Sequence, residues 1–325
     1  MGAGPTAPRG QYIVMPTASA RTAAWSLCEN RRREYQLLRR HAFKLIHWPT
    51  GNEETGQHAF DIDWDWIKSL EGKRVGELRI DEHINGHNNV RVIFFKANKP
   101  LPDETLCRIW LLTVFQKKRQ QFTNTEIRSF KAMRDLIVIR HYDGDSQAYQ
   151  VPTFFVSGSR ITMSTITTPN EILAAGASQF AMFFSAYREC SPEIQEIIHD
   201  MTAIVGDPDA TADEQRLAAH TLIEALFPAL TADVHDQDET LLRSQESQQI
   251  EHDLDLEEET FSERVRTLMA GQSVTQETLA ELTGVSQPAI ANILARHCRP
   301  QRRTVVRFAA ALGVEPSDLW QGFVQ

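Results

Sequence analysis

The sequence predicts an α+β fold, in which a small antiparallel sheet with helices is followed by a mostly helical region that ends in a compact helical bundle. Three observations predict it. Short β-like runs cluster at 75–80, 90–96 and 106–115, helical spacing of apolar residues dominates after residue 190, and a helix-glycine-helix pattern lies near the end. With 325 residues, the chain is long enough for two or three domains.

The composition favours a cytoplasmic protein. No stretch approaches eighteen consecutive apolar residues, and the first twenty residues lack the apolar segment of a signal peptide, so we expect no membrane association. The cysteines are far apart, which excludes a C-x-x-C metal site and a dense disulfide framework; they are Cys28, Cys107, Cys190 and Cys298. P-loop, dinucleotide-binding, zinc-protease and serine-hydrolase motifs are absent, and we expect no metal and no cofactor.

Charge is distributed unevenly along the chain, whose formal net charge is -9. Residues 1–150 carry 23 Lys and Arg against 17 Asp and Glu, residues 151–260 carry 4 against 21, and residues 261–325 carry 7 against 5. Two basic ends therefore flank an acidic middle. This pattern indicates polyanion-binding ends with a middle segment that covers one of them, or else only a solvated acidic helix and linker.

The N-terminal part of the chain predicts a flexible tail over 1–20 and an α+β domain over 21–145. Its elements are expected in the order helix, antiparallel strands, helix. We expect a helix over Arg21–His47, a loop over 49–57, the three strands, and a turn at Asn85-Gly86. The last helix begins near Thr123, because Thr123 and Glu126 have the spacing of a capping box.

An acidic, partly helical region is expected over 146–260. Its predicted elements are a strand or hairpin over Val151–Met163 and helices over Asn170–Tyr187, Pro192–Ile204 and Thr211–Phe227. Thr231–Glu259 is rich in Glu and Gln and has no clear apolar stripe until its end, so it is either a linker or an exposed helix.

The strongest local pattern lies in the last predicted domain, residues 261–325. Thr275 to Leu294 predict a helix, a turn at Gly284 and a second helix, with Val285 and Ile290 filling the wedge between them. Leu312 to Trp320 close a small bundle. This segment resembles the lambda-repressor-like, or XRE-type, helix-turn-helix family, found also in HigA-type antitoxins, over about 60 residues.

That resemblance implies operator DNA as a partner and a homodimer that reads a two-fold site. The second helix of the motif then faces base edges, with the residues Ser286, Gln287, Ala289 and Asn292. A preceding glutamine, Gln276, touches a phosphate. A basic flank suits backbone contacts and consists of Arg296, Arg299, Arg302 and Arg303. The alternative is a helical bundle that only mediates protein contacts.

Basic residues recur on the predicted strands. Alternation along the strands places Arg79, Arg91 and either Lys117 or Lys118 on one side of the sheet, which predicts an electropositive trough. An RNA backbone held in such a trough is cleaved through its own 2′-hydroxyl if one group removes a proton, another protonates the leaving oxygen, and cations stabilise the phosphate.

The same residues carry a second resemblance. The patterns Glu-Leu-Arg, Arg-Val-x-Phe-Phe and Phe-Gln-Lys-Lys, followed by a helix that starts at a threonine, resemble the RelE/HigB toxin superfamily, particularly its phage-derived branch, over residues 20–142. The resemblance implies a metal-independent endoribonuclease that cuts mRNA on the ribosome. Its implied catalytic residues are Arg79, Arg91, Lys117, Lys118, His141 and Tyr142.

Two further groups of polar residues have simpler interpretations. His83 and His87 are separated by Asn85-Gly86, which favours a turn over a metal site. Three aspartates alternate with apolar residues and predict a polar edge over packed tryptophans, at Asp61, Asp63 and Asp65 beside Ile62, Trp64 and Trp66.

Together these patterns predict a toxin and its antitoxin fused in one chain, with intramolecular inhibition of the ribonuclease by the acidic region and repression of its own promoter by the helix-turn-helix. The alternative is a transcriptional regulator whose RelE-like domain is catalytically inactive and serves as a sensor or a dimerisation module.

Overall fold

The computed structural model describes residues 11–47, 51–52, 57–58, 60–143, 180–228, 240–321 and 323. The chain divides into two compact units, one formed by Met1–Gln121 with Gln237–Gln325 and the other by Phe122–Asp236. The sequence-based boundaries at 145 and 260 differ from this division. The first unit contains both the sheet and the helix-turn-helix bundle.

The N-terminal part of the first unit, which we call the sheet domain, contains seven strands and two helices in its described residues. They are β1 (Tyr12–Pro16), α1 (Ala18–Leu27), α2 (Arg32–Phe43), β2 (Gly51–Asn52), β3 (Gln57–His58), β4 (Asp63–Trp66), β5 (Val75–Ile80), β6 (Val90–Lys96) and β7 (Cys107–Gln116), with 3-10 turns at Lys44–His47 and Lys68–Lys73. Five strands form one sheet in the order β1-β7-β6-β5-β4, and β2 pairs with β3.

The three strands predicted from alternation are confirmed as β5, β6 and β7, which pair in antiparallel fashion. The turn predicted at Asn85-Gly86 is also confirmed, because both residues have positive φ (51° and 74°) and Ile84 and His87 exchange two backbone hydrogen bonds of 2.9 and 2.8 Å. Such a turn suits Asn-Gly, the dipeptide that tolerates left-handed backbone most readily.

The N-terminal segment differs from the predicted tail and single helix. Residues 12–16 form an edge strand parallel to β7, and the Thr17 side chain caps α1. The partner of this strand, β7, lies about a hundred residues further along the chain, so the local sequence pattern does not reveal the pairing. The helix predicted over Arg21–His47 is broken between α1 and α2, where Glu29 and Asn30 have φ of 47° and 61°.

The C-terminal part of the first unit contains α6 (Gln245–Gln272), α7 (Gln276–Thr283), α8 (Gln287–Leu294), α9 (Arg302–Leu312) and α10 (Pro316–Leu319), and residues 240–242 are also helical. The predicted boundary at residue 260 is wrong, because it falls inside the 28-residue helix α6. Leu254, Phe261 and Val265 are all buried at helical spacing, so one apolar stripe runs through that point. We call residues 261–320 the helix-turn-helix bundle.

Helix α6 belongs to two cores. Its second half packs with α7, α8 and α9 around Phe261, Leu279, Ile290 and Phe308. Its first half contributes Leu254 to the core of the sheet domain, where Cys298 is also buried. Burial raises the pKa of the Cys298 thiol to about 11, so this cysteine behaves as a packing residue.

Among its described residues, the second unit contains α3 (Asn124–His141), α4 (Pro192–Val205) and α5 (Ala212–Leu226), with residues 180–189 also helical. The capping box at Thr123 and Glu126 is confirmed. The predicted helices over Pro192–Ile204 and Thr211–Phe227 are confirmed as α4 and α5. The strand or hairpin expected over Val151–Met163 lies outside the described residues. No helix among the described residues has the length and apolar character needed to span a membrane.

Gly76 provides a test of the sheet packing. A Cβ added at Gly76 lies 2.6 Å from Cζ of Phe94 and 2.9 Å from the backbone oxygen of Asp65, whereas one added at Gly72 has no atom within 4 Å. We expect Gly76→Ala to lower the free energy of unfolding by about 1–3 kcal/mol through overpacking. Gly72→Ala should change it by less than about 0.5 kcal/mol. Chemical denaturation measures both; equal effects would contradict this packing.

Candidate nucleic-acid interfaces

The helix-turn-helix consists of α7, a tight turn and α8. The side chain of Thr275 accepts a hydrogen bond from the backbone of Thr278 and caps α7, and Ser286 caps α8 by accepting from the N–H of Ala289. Gly284 ends α7 with φ of 67°, a conformation that favours glycine. Ile290 is fully buried beneath the turn. The predicted helix-glycine-helix is therefore confirmed.

Two of the predicted base-reading residues lie on the outward face of α8, and a third, Ser286, is its N-cap. The amide of Gln287 donates to Oε1 of Gln276 at 3.2 Å, so the first residue of α8 is tied to the first residue of α7. Oδ1 of Asn292 lies 3.3 Å from Nδ1 of His297. Ser286 is partly buried, and its hydroxyl serves the cap.

Ala289 does not face outward, and its prediction as a base-reading residue is wrong. It is 2% exposed and lies on the buried stripe of α8 with Ile290, Ile293 and Leu294. Pro288, where proline replaces the polar residue usual in the family, lies on the open side of the helix and is exposed. Sequence reasoning missed Ala291, which lies on the same side and is half-buried. The signal was available, since helical periodicity sets 287, 288, 291 and 292 opposite the apolar positions.

The predicted basic flank divides into structural and accessible arginines. Arg299 is 5% exposed, and it pairs with Glu257 at 3.2 Å and Glu258 at 3.4 Å and stacks over Trp320 at 4.4 Å. Its prediction as a phosphate contact is therefore wrong, because a guanidinium enclosed by the bundle is not accessible to DNA. Arg296 is about half exposed and lies 3.0 Å from Glu259.

Arg302 and Arg303 begin α9, next to the sheet domain. The guanidinium of Arg302 stacks over Phe323 at 4.2 Å, and that of Arg303 forms an ion pair with Asp63. Both side chains remain partly exposed. In this arrangement, Arg303 is engaged by a carboxylate of the sheet domain.

The predicted strand cations meet on one face of the sheet. Arg79 and Arg91 are direct partners on β5 and β6, and they and Lys117 all lie 3.1–3.2 Å from the carboxylate of Glu77, which is 6% exposed. Burial lowers the pKa of Arg91, against the opposing effect of Glu77. Alternation thus placed these three side chains correctly.

The charge balance of this face differs from the predicted electropositive trough. Arg79 also lies 3.3 Å from Asp63 and 3.4 Å from Asp65 on the adjacent strand β4. Three cations are therefore matched by three carboxylates. We call this group the Glu77 cluster; its members are Asp63, Asp65, Glu77, Arg79, Arg91 and Lys117. Sequence reasoning missed Glu77, although it lies in the same Glu-Leu-Arg motif as Arg79.

The remaining predicted catalytic residues lie elsewhere in the chain. Lys118 is exposed just beyond the end of β7. His141 and Tyr142 form the C-terminal end of α3 in the second unit, where His141 is exposed and Tyr142 is half-buried.

The acidic residues of α6 contact arginines of α2. Arg40 forms ion pairs with Glu251, with Asp255 at 2.7 Å and with Glu258 at 2.9 Å, and its side chain is 17% exposed. Arg32 pairs with Glu246, and Arg33 with Glu257. The acidic first half of α6 is thus placed against α2, while the cations of the Glu77 cluster have their own carboxylates.

Residues 260–320 match the family model described as a helix-turn-helix domain. The match covers 61 of the 325 residues and contains α7 and α8, so it indicates DNA binding in transcription regulation as the class of function for this part. No toxin family model matches residues 20–142. No curated protein and no solved structure shows significant similarity to the chain.

The structural role of Arg299 is testable against the more exposed Arg296. We expect Arg299→Ala to lower the free energy of unfolding by about 3 kcal/mol, because it leaves the buried carboxylate of Glu258 with one cation fewer. Arg296→Ala should cost less than about 1 kcal/mol, as an exposed ion pair does. Urea denaturation followed by circular dichroism compares them. Similar losses for the two variants would be inconsistent with an interior role for Arg299.

Proposed function

We propose that the chain is a sequence-specific DNA-binding regulator that reads the major groove with α8. The observation that carries this proposal is the hydrogen bond between Gln276 and Gln287 at the start of the two motif helices. A glutamine amide reads adenine through two hydrogen bonds, and fixing its orientation beforehand lowers the entropy cost of forming them. The carbonyl of Gln276 supplies that constraint before DNA arrives.

Other contacts support the same surface. Asn292 lies one turn further along α8, with its amide next to His297, so two amide side chains are spaced along the open side of the helix. Pro288 and Ala291 between them are small or rigid and permit close approach of base edges. One such helix reads about half of a two-fold site, and we propose a homodimer on the operator, including the protein's own promoter.

The first test is selection of binding sites from random double-stranded DNA with the full chain. We expect a recovered two-fold sequence, and a loss of about 5- to 150-fold in affinity for it on Gln287→Ala or Asn292→Ala, the range for one base contact. Gln249→Ala, which truncates an exposed glutamine on α6, is the matched control and should change nothing. Recovery of no preferred sequence, or equal losses for all three variants, would contradict sequence-specific reading by α8.

A second candidate function is metal-independent RNA cleavage by the sheet domain. Its support is the convergence of Arg79, Arg91 and Lys117 on one face, together with the resemblance to the RelE/HigB superfamily. In such a reaction the 2′-oxygen attacks phosphorus, its proton passes to a base, and the P–O5′ bond breaks as the leaving oxygen takes a proton from an acid. Glu77, which contacts all three cations, provides a carboxylate for the first transfer.

In this second candidate, the chain is a fused toxin and antitoxin that acts on mRNA, on the ribosome. The intramolecular inhibitory contact is then the acidic face of α6 on α2, where Arg40 is paired with three carboxylates. A polyanionic RNA competes with the acidic face of α6 for the arginines of α2, because both present rows of negative charge.

RNA cleavage is tested on the full chain with end-labelled RNA, and the products are examined for 2′,3′-cyclic phosphate ends. We expect Arg91→Ala to slow cleavage by about 100- to 1000-fold, the effect of removing one group that stabilises a transition state. Lys99→Ala, at an exposed lysine outside the Glu77 cluster, should leave the rate unchanged. A rate independent of Arg91 would favour the regulator with an inactive sheet domain. So would the absence of cleavage both in the wild-type chain and in a Glu251→Gln, Asp255→Asn variant, in which the contact of α6 with Arg40 is weakened.

A further inference from the structure

Three successive residues at the start of α9 are bound by aspartates of the sheet domain. The N–H of Gln301 donates to the carboxylate of Asp61 at 2.5 Å, and that of Arg303 donates to the carboxylate of Asp81 at 2.8 Å. Between them, the N–H of Arg302 donates to the backbone oxygen of Asp81 at 3.1 Å. The sheet domain therefore provides hydrogen-bond acceptors for the backbone N–H groups at the start of α9.

Side chains complete this contact. Oε1 of Gln301, which is 2% exposed, accepts from the N–H of Asp81 at 3.1 Å. The guanidinium of Arg303 forms its ion pair with Asp63. We call the contact of Asp61, Asp63 and Asp81 with residues 301–303 the aspartate dock.

The aspartate dock lies next to the proposed reading helix. Residues 295–301 connect the end of α8 to the start of α9, and within them His297 touches Asn292 of α8. Cys298, the next residue of this connection, is buried in the core of the sheet domain. The sheet domain thus extends to the end of α8 at which Asn292 is held.

A helix in the major groove has phosphates on both walls of the groove, so the segment that follows the helix faces one of the strands. Backbone N–H groups at a helix start and a neighbouring arginine are the groups that bind DNA phosphates in such positions. In this chain, those groups at 301–303 hold carboxylates, which are also oxyanions. In the proposed complex, with α8 in the major groove, these donors follow the reading helix in the chain.

We propose that the aspartate dock is an autoinhibitory contact, in which Asp61, Asp63 and Asp81 occupy donors that would otherwise meet the DNA backbone. This inference rests on the proposed function in DNA binding. Docking of the sheet domain and full engagement of residues 301–303 with DNA then exclude each other. When the dock is released, residues 301–303 bind phosphates of any DNA sequence. The affinity for DNA and its dependence on salt concentration therefore increase together.

The test compares the full chain with a double variant, Asp63→Asn with Asp81→Asn. A matched control, Glu71→Gln with Asp103→Asn, removes two exposed negative charges elsewhere in the sheet domain. Binding to the selected site and to a random duplex of the same length is measured across a range of salt concentrations. We expect the dock variant to bind both duplexes about 10-fold more tightly than the control. Its slope of log affinity against log salt should be steeper by roughly 1 for each further phosphate that the protein neutralises.

Adding Arg303→Ala to the dock variant should remove part of the added slope, because it deletes the guanidinium that is transferred from Asp63 to phosphate. Equal affinities and slopes for the dock variant and the control would overturn the proposal. The random duplex separates this outcome from failure of the proposed function, which would instead appear as equal affinity of the wild-type chain for selected and random DNA.

A reversible lock tests the same proposal without weakening the fold. The N–H of Arg302 and the backbone oxygen of Asp81 are 3.1 Å apart, so Asp81→Cys with Arg302→Cys places two thiols on adjacent chain segments. Formation of the disulfide is checked by thiol titration before binding is measured. We expect the oxidised full chain to bind random DNA at least about 10-fold more weakly than the same protein after reduction, with Arg302→Cys alone as the control. A locked chain whose affinity does not change on reduction would overturn the autoinhibitory contact.

Discussion

The carboxylate of Glu258 joins the two parts of the first unit. It is 7% exposed, and it accepts from Arg40 of α2 at 2.9 Å and from Arg299, which precedes α9, at 3.4 Å. A buried carboxylate is costly unless it is paired, so neither arginine can leave without a penalty of several kcal/mol. Because Glu258 lies on α6, which continues into the helix-turn-helix bundle, this one group fixes the bundle against α2. The orientation of α8 and the aspartate dock both depend on that placement.

Basic composition at the two ends of the chain indicated polyanion binding, yet many of these cations are satisfied internally. Arg40 takes three carboxylates of α6, Arg79 takes three from β4 and β5, and Arg299 takes two from α6. A count of charges cannot distinguish a cation that faces solvent from one that faces a carboxylate distant in sequence. The distinction matters energetically, since a nucleic acid must replace an existing partner before it can bind such a cation.

Local sequence patterns predicted the features that depend on interactions between residues close together in the chain. The strands β5 to β7, the turn at Asn85-Gly86 and the helices around Gly284 follow from alternation, left-handed backbone and capping, all of which act within a few residues. The strand β1 and the enclosure of Arg299 depend on partners far along the chain, β7 and α6, and were missed. Ala289 is a different case, because its burial follows from the helical period of α8 and needed no distant partner. Within the Glu77 cluster, alternation predicted which cations share a face, but it gave no sign that Glu77 lies among them.

Asp63 connects the two chemistries proposed for this chain, because it pairs with Arg79 in the Glu77 cluster and with Arg303 in the aspartate dock. One carboxylate divided between two guanidinium groups stabilises each less than it would alone. An oxyanion at the cluster competes with Asp63 for Arg79, and a phosphate at the start of α9 competes with it for Arg303. By linkage, if a ligand at the cluster changes the affinity for DNA by some factor, DNA must change the affinity for that ligand by the same factor. In the proposed autoinhibition, this aspartate is therefore the residue through which the sheet domain acts on DNA binding, with or without a reaction of its own.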